Sequence, residues 1–374
     1  MAGDTSPQAA HARGSPAAAT AVAADGGLLF ANARPAAMPA HPLCCLVVDA
    51  EEDFDWDRPM QATGYSTDCM RQLGDLRQIA AAYGLRPTYL ITYPVLEDGV
   101  AMRTLRRQHE RGECDLGIQL HPWVTPPFDE PASQASYLGS LDPAVGERKL
   151  VTLIEKFRDV FGVPPISFRA GRYGLSRSTT LLLEKHGCAV DTSLAPRTDF
   201  RLAGGPDFSR YECTPFWFGG GRALLEMPLC RSLIGWSGGL APLLYRAVTT
   251  PALERRRVPA VLSRLRCAER VTLSPEGNDL AAMRRFLRHR RRRGQSVFSL
   301  SFHSSSLLPG RNPYVRGTAD LHLFYDRLSA ILDAMANAGF AFPTLAEMPA
   351  LLGGAEMPAL PGGAEMPTLP GGAA

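Results

Sequence analysis

Between residues 41 and 345 short apolar runs alternate with longer stretches in which apolar residues recur at helical spacing. The runs at 43–48, 88–91, 116–120, 166–168, 189–191, 224–227 and 297–302 lack the polar alternation of a half-exposed strand, so they read as strands buried on both faces. The amphipathic stretches at 67–83, 99–111, 143–161, 177–186, 280–292 and 319–338 read as helices between them. Gly84, Gly112, Gly162, Gly187, Gly294 and Gly339 close these stretches, as expected of helix C-terminal caps. Strand–helix alternation of this kind predicts a mainly parallel sheet or a barrel. The segment 230–271 breaks the rhythm and reads as a helical insertion.

Polar residues with chemical potential directly follow the apolar runs: Asp49 after LCCLVV, His121 after LGIQL, Arg169 after ISF and His303 after FSLSF. Parallel α/β folds carry their active face at the strand C-terminal ends, so four residues distant in sequence are expected to converge there. That pattern points to an enzyme.

The two ends read differently. Residues 1–40 are rich in Ala, Pro, Gly and Ser without periodicity, which predicts a disordered tail. A nine-residue repeat occupies the C-terminus as AEMPALLGG at 346–354, AEMPALPGG at 355–363 and AEMPTLPGG at 364–372. Its Pro and Gly density predicts neither helix nor central strand, hence a disordered tail over 346–374.

Composition narrows the function classes. Of 374 residues 45% are hydrophobic and 21% charged, which allows a sizeable core. No apolar run reaches the roughly 18 residues of a membrane span. Forty basic against 37 acidic residues give +3, which offers no argument for nucleic acid or anionic lipid as a partner of the whole chain. The basic run Arg284, Arg285, Arg288 and Arg290 to Arg293 fits either a solvated helix face or a phosphate grip. Eight scattered cysteines without a C-x-x-C pair suit a reducing compartment. With no basic start followed by a compact apolar stretch, a cytoplasmic location is expected.

Four clusters carry chemistry. Asp49-Ala-Glu51-Glu52-Asp53-Phe-Asp55-Trp-Asp57 sets six carboxylates in nine residues, and alternation after a strand puts Asp49, Glu51 and Asp53 on one face. This suits a general base beside metal-binding carboxylates, or a solvated acidic loop. Gln119-Leu-His121-Pro-Trp123 offers an imidazole at a strand end and an aromatic face for a sugar ring. Phe168-Arg169-Ala-Gly171-Arg172-Tyr173-Gly174 runs an arginine into a glycine-flanked turn, where backbone N–H groups can meet an anion. Ser301-Phe-His303-Ser-Ser-Ser306 places a histidine before small hydroxyl residues.

VVDAEEDFDW, LGIQLHPW, FRAGRYG, DTSLAP and LSFHSSSL occur in the order of the five motifs of NodB-type polysaccharide deacetylases, carbohydrate esterase family 4, which the chain resembles over about 43–343. It looks closest to the branch associated with lipopolysaccharide biosynthesis. The resemblance implies a deformed (β/α)7-type barrel that removes N-acetyl groups from a saccharide or glycolipid with a divalent metal, most often zinc. By position Asp49 would be the base, Arg169 its partner, His303 the general acid, and Tyr173 the backbone donor to the oxyanion. Glu51 and His121 would bind the metal, Trp123 and Arg172 would lie on the substrate side, and Asp191, grouped with them, would support the site from behind.

At the metal the chain departs from the family pattern, which supplies two histidines. His121 plus four is Thr125, and an alternative alignment places Gln119 at the first histidine. Asp53 is the expected third ligand, with Glu52 or the Gln119 amide as alternatives. A metal-independent amidohydrolase of the same fold, or a non-catalytic saccharide-binding relative, therefore stands beside the metal enzyme.

Overall fold

The computed structural model describes residues 29–54, 60–129, 136–220, 223–248 and 258–353. Its centre is a nine-stranded sheet. The strands are β1 (Arg34–Pro35), β2 (Leu43–Ala50), β3 (Thr88–Ile91), β4 (Asp115–Leu120), β5 (Ser167–Ala170), β6 (Val190–Asp191), β7 (Phe216–Phe218), β8 (Leu224–Glu226) and, much later in the chain, β11 (Val297–His303). A separate antiparallel pair joins β9 (Arg231–Ile234) to β10 (Glu269–Thr272). The large sheet runs β1-β7-β8-β6-β5-β4-β3-β2-β11. Every pair from β8 through β6 to β11 is parallel, which makes a seven-stranded parallel set, while β1 and β7 continue it antiparallel.

Helices cover the outer face: α1 (Leu73–Ala82), α2 (Tyr93–Glu97), α3 (Gly99–Glu110), α4 (Pro143–Phe161), α5 (Arg177–His186), α8 (Leu280–Arg292) and α9 (Thr318–Ala336). Between β9 and β10 lie α6 (Ala241–Val248) and α7 (Val258–Arg264), and α10 (Met348–Leu351) ends the described chain. Asp98, Asp142, Ser176 and Asp279 cap the N-termini of α3, α4, α5 and α8 through side-chain oxygens. All eight residues of β2 are buried, as a central parallel strand covered on both faces must be.

No hydrogen-bonded ladder joins β8 to β11 among the described residues. The gap is bridged by the chain near the β9–β10 pair: Ser301 N donates to Leu273 O at 3.3 Å, and Ser299 Oγ to Pro228 O at 3.1 Å. This is the deformed barrel expected from the sequence. All eight cysteines are buried and free within it. Among the described residues no helix is long and apolar enough to cross a membrane.

Three expectations about the ends and the insertion need correction. Ordered chain begins before residue 41: Phe30 is fully buried, meeting Phe216 and Phe218 edge-on at 4.9 and 5.0 Å, and β1 pairs with β7. The first repeat copy is ordered too. It carries Leu352 where the later copies carry proline, so α10 can form one turn and bury Met348 and Leu352. Leu345 N donates to Thr88 Oγ1 at 3.0 Å and Ala346 N to Asp115 Oδ2 at 3.3 Å, which seats this segment at the first residues of β3 and β4. Residues 1–28 and 354–374 lie outside the described residues. The insertion holds the expected helices, but they are framed by β9 and β10, which its apolar pattern did not single out.

Candidate active site

The parallel register places His303 directly beside Asp49 at the C-terminal ends of β11 and β2. Arg169, at the end of β5, reaches across to Asp49 and bonds its Oδ1 through Nη1. The guanidinium is fixed by the segment after β6, with Nε donating to Thr192 O at 3.1 Å and Nη2 to Thr192 Oγ1 at 3.0 Å. Both members of the pair are buried. Removing either would leave an uncompensated charge in the interior.

The other Asp49 oxygen, Oδ2, stands 3.7 Å from His303 Nε2. His303 is oriented from behind by Glu276, whose Oε2 lies 2.8 Å from Nδ1 and whose Oε1 accepts from the His303 backbone N–H at 2.9 Å. Ser306 Oγ donates to the same Oε1. A proton on Nδ1 therefore belongs to the Glu276 contact, leaving Nε2 to face Asp49. Burial disfavours the imidazolium, but Glu276, with Glu51 and Asp49 behind it, outweighs burial and holds His303 well above its ordinary value.

A second group meets beside the first. Glu51 is pinned through its backbone, its N–H donating to Ser304 Oγ at 3.1 Å. Gln119 Nε2 lies 3.2 Å from Glu51 Oε2 and 2.9 Å from His121 Nε2, while His121 Nδ1 meets Glu52 Oε1 at 2.7 Å. The imidazole is thus engaged at both nitrogens, with the Glu52 carboxylate taking the Nδ1 proton. Burial pushes the Glu51 carboxyl up to about 8. Gly171, at the turn after β5, lets that turn pass close to His121: a Cβ there would lie 2.7 Å from Leu120 O and closer still to the imidazole.

The zinc set with Asp53 as its third ligand does not fit this arrangement. Glu51 and His121 do meet, but Asp53 does not join them. Its Oδ2 accepts from Ser66 Oγ at 2.9 Å and lies 3.9 Å from Arg311 Nε. Among the described residues no three His, Cys, Asp or Glu side chains are grouped to hold a metal ion. The remaining place is taken by Gln119. Its Nε2 meets Glu51 Oε2 and His121 Nε2, and its own oxygen is a buried acceptor with no hydrogen-bond partner among the described residues. Of the alternatives for the third ligand, the Gln119 amide is the one that meets both Glu51 and His121, as a neutral group rather than a carboxylate.

The other predicted residues fall around this centre. Tyr173 and Arg172 sit consecutively in left-handed conformation, φ 60° and 53°, at a turn where most side chains are strained. The Tyr173 ring lies 5.8 Å from the Arg169 guanidinium. Arg172 covers Tyr137 at 4.4 Å and donates to Ser136 on the rim. Trp123, expected to offer a face to a sugar, is instead buried and stacked on His121 at 4.2 Å. Asp191, expected to support the site from behind, is fully buried; its Oδ1 accepts from Ser193 Oγ, and Glu226 is its neighbour in register. Burial raises both carboxyls, Glu226 well above its ordinary value.

Sequence reasoning missed Glu276. It lies in Ser274-Pro-Glu276-Gly-Asn, which reads as a plain polar turn, and its approach to His303 is purely tertiary. It also missed Lys149, buried on α4, whose ammonium donates to the carbonyls of Pro122 at 3.0 Å and Thr125 at 2.7 Å. That contact fixes the loop leaving His121.

The chain matches no protein-family model and no curated protein. Among solved structures it is similar to a protein from Parabacteroides distasonis assigned as a glycoside hydrolase/deacetylase, with TM-score 0.51, 13% identity, and 85% of this chain and 72% of that one covered. It is also similar to a protein from Mycobacterium smegmatis assigned as a polysaccharide deacetylase, with TM-score 0.49, 15% identity and coverage of 86% and 94%. A chitin deacetylase from Colletotrichum lindemuthianum gives TM-score 0.39, 14% identity and coverage of 85% and 91%. At these identities it is the fold that is shared, and that fold, a curled sheet of nine strands wrapped by helices, is the deformed barrel of NodB-type deacetylases.

Proposed function

We propose that the protein is an amidohydrolase that removes N-acetyl groups from a saccharide, with a glycolipid or cell-surface polysaccharide precursor as the substrate class. The observation that carries the reading is the facing of Asp49 Oδ2 and His303 Nε2 across 3.7 Å at the ends of adjacent parallel strands. Amide hydrolysis needs a base for the attacking water and an acid for the departing amine. Asp49, held by Arg169, takes the water proton. His303, held by Glu276, delivers one to the amine. Tyr173, on its left-handed turn beside Arg169, is the candidate backbone donor to the oxyanion. The fold shared with a protein assigned as a glycoside hydrolase/deacetylase supports the same class. Eight buried free thiols support a cytoplasmic site of action.

The Gln119 geometry favours catalysis without a metal over the zinc-dependent form. In that reading Gln119 and His121 keep Glu51 hydrogen-bonded and in place, and polarisation of the carbonyl falls to hydrogen-bond donors of the chain. Acetate release from a panel of N-acetylated sugars tests both levels. Release is expected to fall about a hundredfold or more in Asp49→Asn and to survive a chelator. Chelator-sensitive release restored by zinc would overturn the metal-free form while keeping the hydrolase. No release from any N-acetylated sugar would bring the saccharide-binding reading forward.

A further inference from the structure

Residues 231–293 hold fifteen arginines and four carboxylates, whereas the rest of the chain has 25 basic against 33 acidic residues. Twelve of these arginines and three of these carboxylates fall in described residues, so the small net charge of +3 conceals a strongly positive region around the β9–β10 pair, α6, α7 and α8. Within it α6 turns Ala241 and Tyr245 inward, where they meet Leu233 and Ala268. Its other side is apolar and uncovered: Leu240 is 60% exposed and Leu243 67%. Spacings of three and four residues put these on one face with Leu244.

A second apolar group adjoins the β9–β10 frame. Val261 and Leu265, at i and i+4 around the end of α7, are 52% and 63% exposed, and Trp236 is 75% exposed. Trp236 is tied to this group, its Nε1 donating to Leu265 O at 3.1 Å and its backbone N to Arg266 O at 3.0 Å. Arg266 in turn borders a cavity of about 410 Å³ lined by Leu280, Ala281, Arg284, Arg285 and Arg288. Arg285 is paired with Glu269 at 2.8 Å. Arg264, Arg266, Arg284 and Arg288 have no carboxylate partner among the described residues.

Exposed tryptophan and leucine beside unpaired arginines match the two demands of an anionic bilayer surface: an apolar side chain for the acyl boundary and cations for the headgroups. We infer that the β9–α6–α7–β10 element and the adjoining face of α8 form a docking surface for anionic phospholipid membranes. A soluble acidic protein would satisfy the arginines but leave the tryptophan and leucines without need. A second copy of this chain docking through the same face would set positive charge against positive charge. The inference does not depend on the reaction proposed above, since it concerns binding alone.

Co-sedimentation of the full chain with vesicles of phosphatidylglycerol and phosphatidylcholine tests it, with pure phosphatidylcholine vesicles as the comparison. Binding is expected only to the anionic vesicles and to weaken as salt rises, because the attraction acts within a Debye length. Arg284→Glu with Arg288→Glu, and separately Leu243→Ser with Leu265→Ser, should each weaken it about tenfold or more. Circular dichroism melts of the variants check folding. Quenching of tryptophan fluorescence by brominated anionic lipid gives a second test, expected in wild type and lost in Trp236→Phe, because Trp123 and Trp217 are buried and the variant separates Trp236 from Trp56. No binding to anionic vesicles, no quenching, or binding unchanged in both folded double variants would overturn the inference. So would a wild-type dimer in sedimentation that Leu243→Ser with Leu265→Ser dissociates.

Discussion

Glu276 grips His303 at the imidazole Nδ1 and at the backbone N–H, so it sets both the ring's direction and its charge. Its carboxylate is the largest influence raising the imidazole against burial. Glu276→Gln keeps the shape and removes that charge, so the folded pKa of His303 falls. An acid that must be protonated then fails at lower pH, and the alkaline limb of the rate profile should shift downward. A lower rate with an unmoved limb would show that Glu276 only supports the fold. Asp49, Arg169 and His303 were legible in the sequence because each directly follows an apolar run and strand ends converge. Glu276 was not, because nothing local distinguishes a carboxylate in a turn from one that reaches a histidine 27 residues away. Trp123 shows the opposite error. An aromatic beside a candidate ligand looked like a sugar platform, yet its face is used by His121.

At the scale of elements the seven parallel strands were legible, their apolar runs being uninterrupted and buried on both sides. β1 and β7 were not. Two residues containing a proline make no periodic signal, and β1 gains its place as a sheet edge only through β7. Phe30 is what ties this edge down, with Tyr211, Phe216 and Phe218 around it at 4.9 to 5.8 Å. Phe30→Ala should therefore cost about 3–5 kcal/mol, the usual loss for a buried phenylalanine. Chemical denaturation checks this, and a midpoint equal to wild type would mean that the segment before residue 41 adds nothing to the fold. The placing of Asp53 beside Glu51 failed at this scale as well. Alternation was taken to put Asp53 on the face of Glu51, but the chain after β2 bends into a bridge with Ser66 and carries Asp53 away.

Across the molecule, the barrel and the β9–β10 element divide the work. Leu233, Ala241 and Ala268 form a small cluster separate from the main core. The strands flanking the helices end in register at Ile234 and Glu269. Replacing 238–264 by a short Gly-Ser turn should therefore leave the melting temperature within about 4 °C of wild type, the shift of roughly 1 kcal/mol in a large domain. A larger drop in a thermal melt would show that the helices of this element stabilise the barrel. The hydrophobic pattern marked 230–271 as an insertion, but the overall composition did not reveal its charge, since the arginine excess is averaged away in a net charge of +3.

The seat of the first repeat copy has a practical consequence. Leu345 and Ala346 are held at the first residues of β3 and β4, and Trp217 Nε1 donates to Leu352 O at 3.4 Å. The polypeptide thus departs near Gly353 from the pole opposite Asp49 and His303. Protein immobilised on a resin or sensor through a tag placed directly after Gly353 would present the rim that carries Asp49 and His303 to the flowing solution.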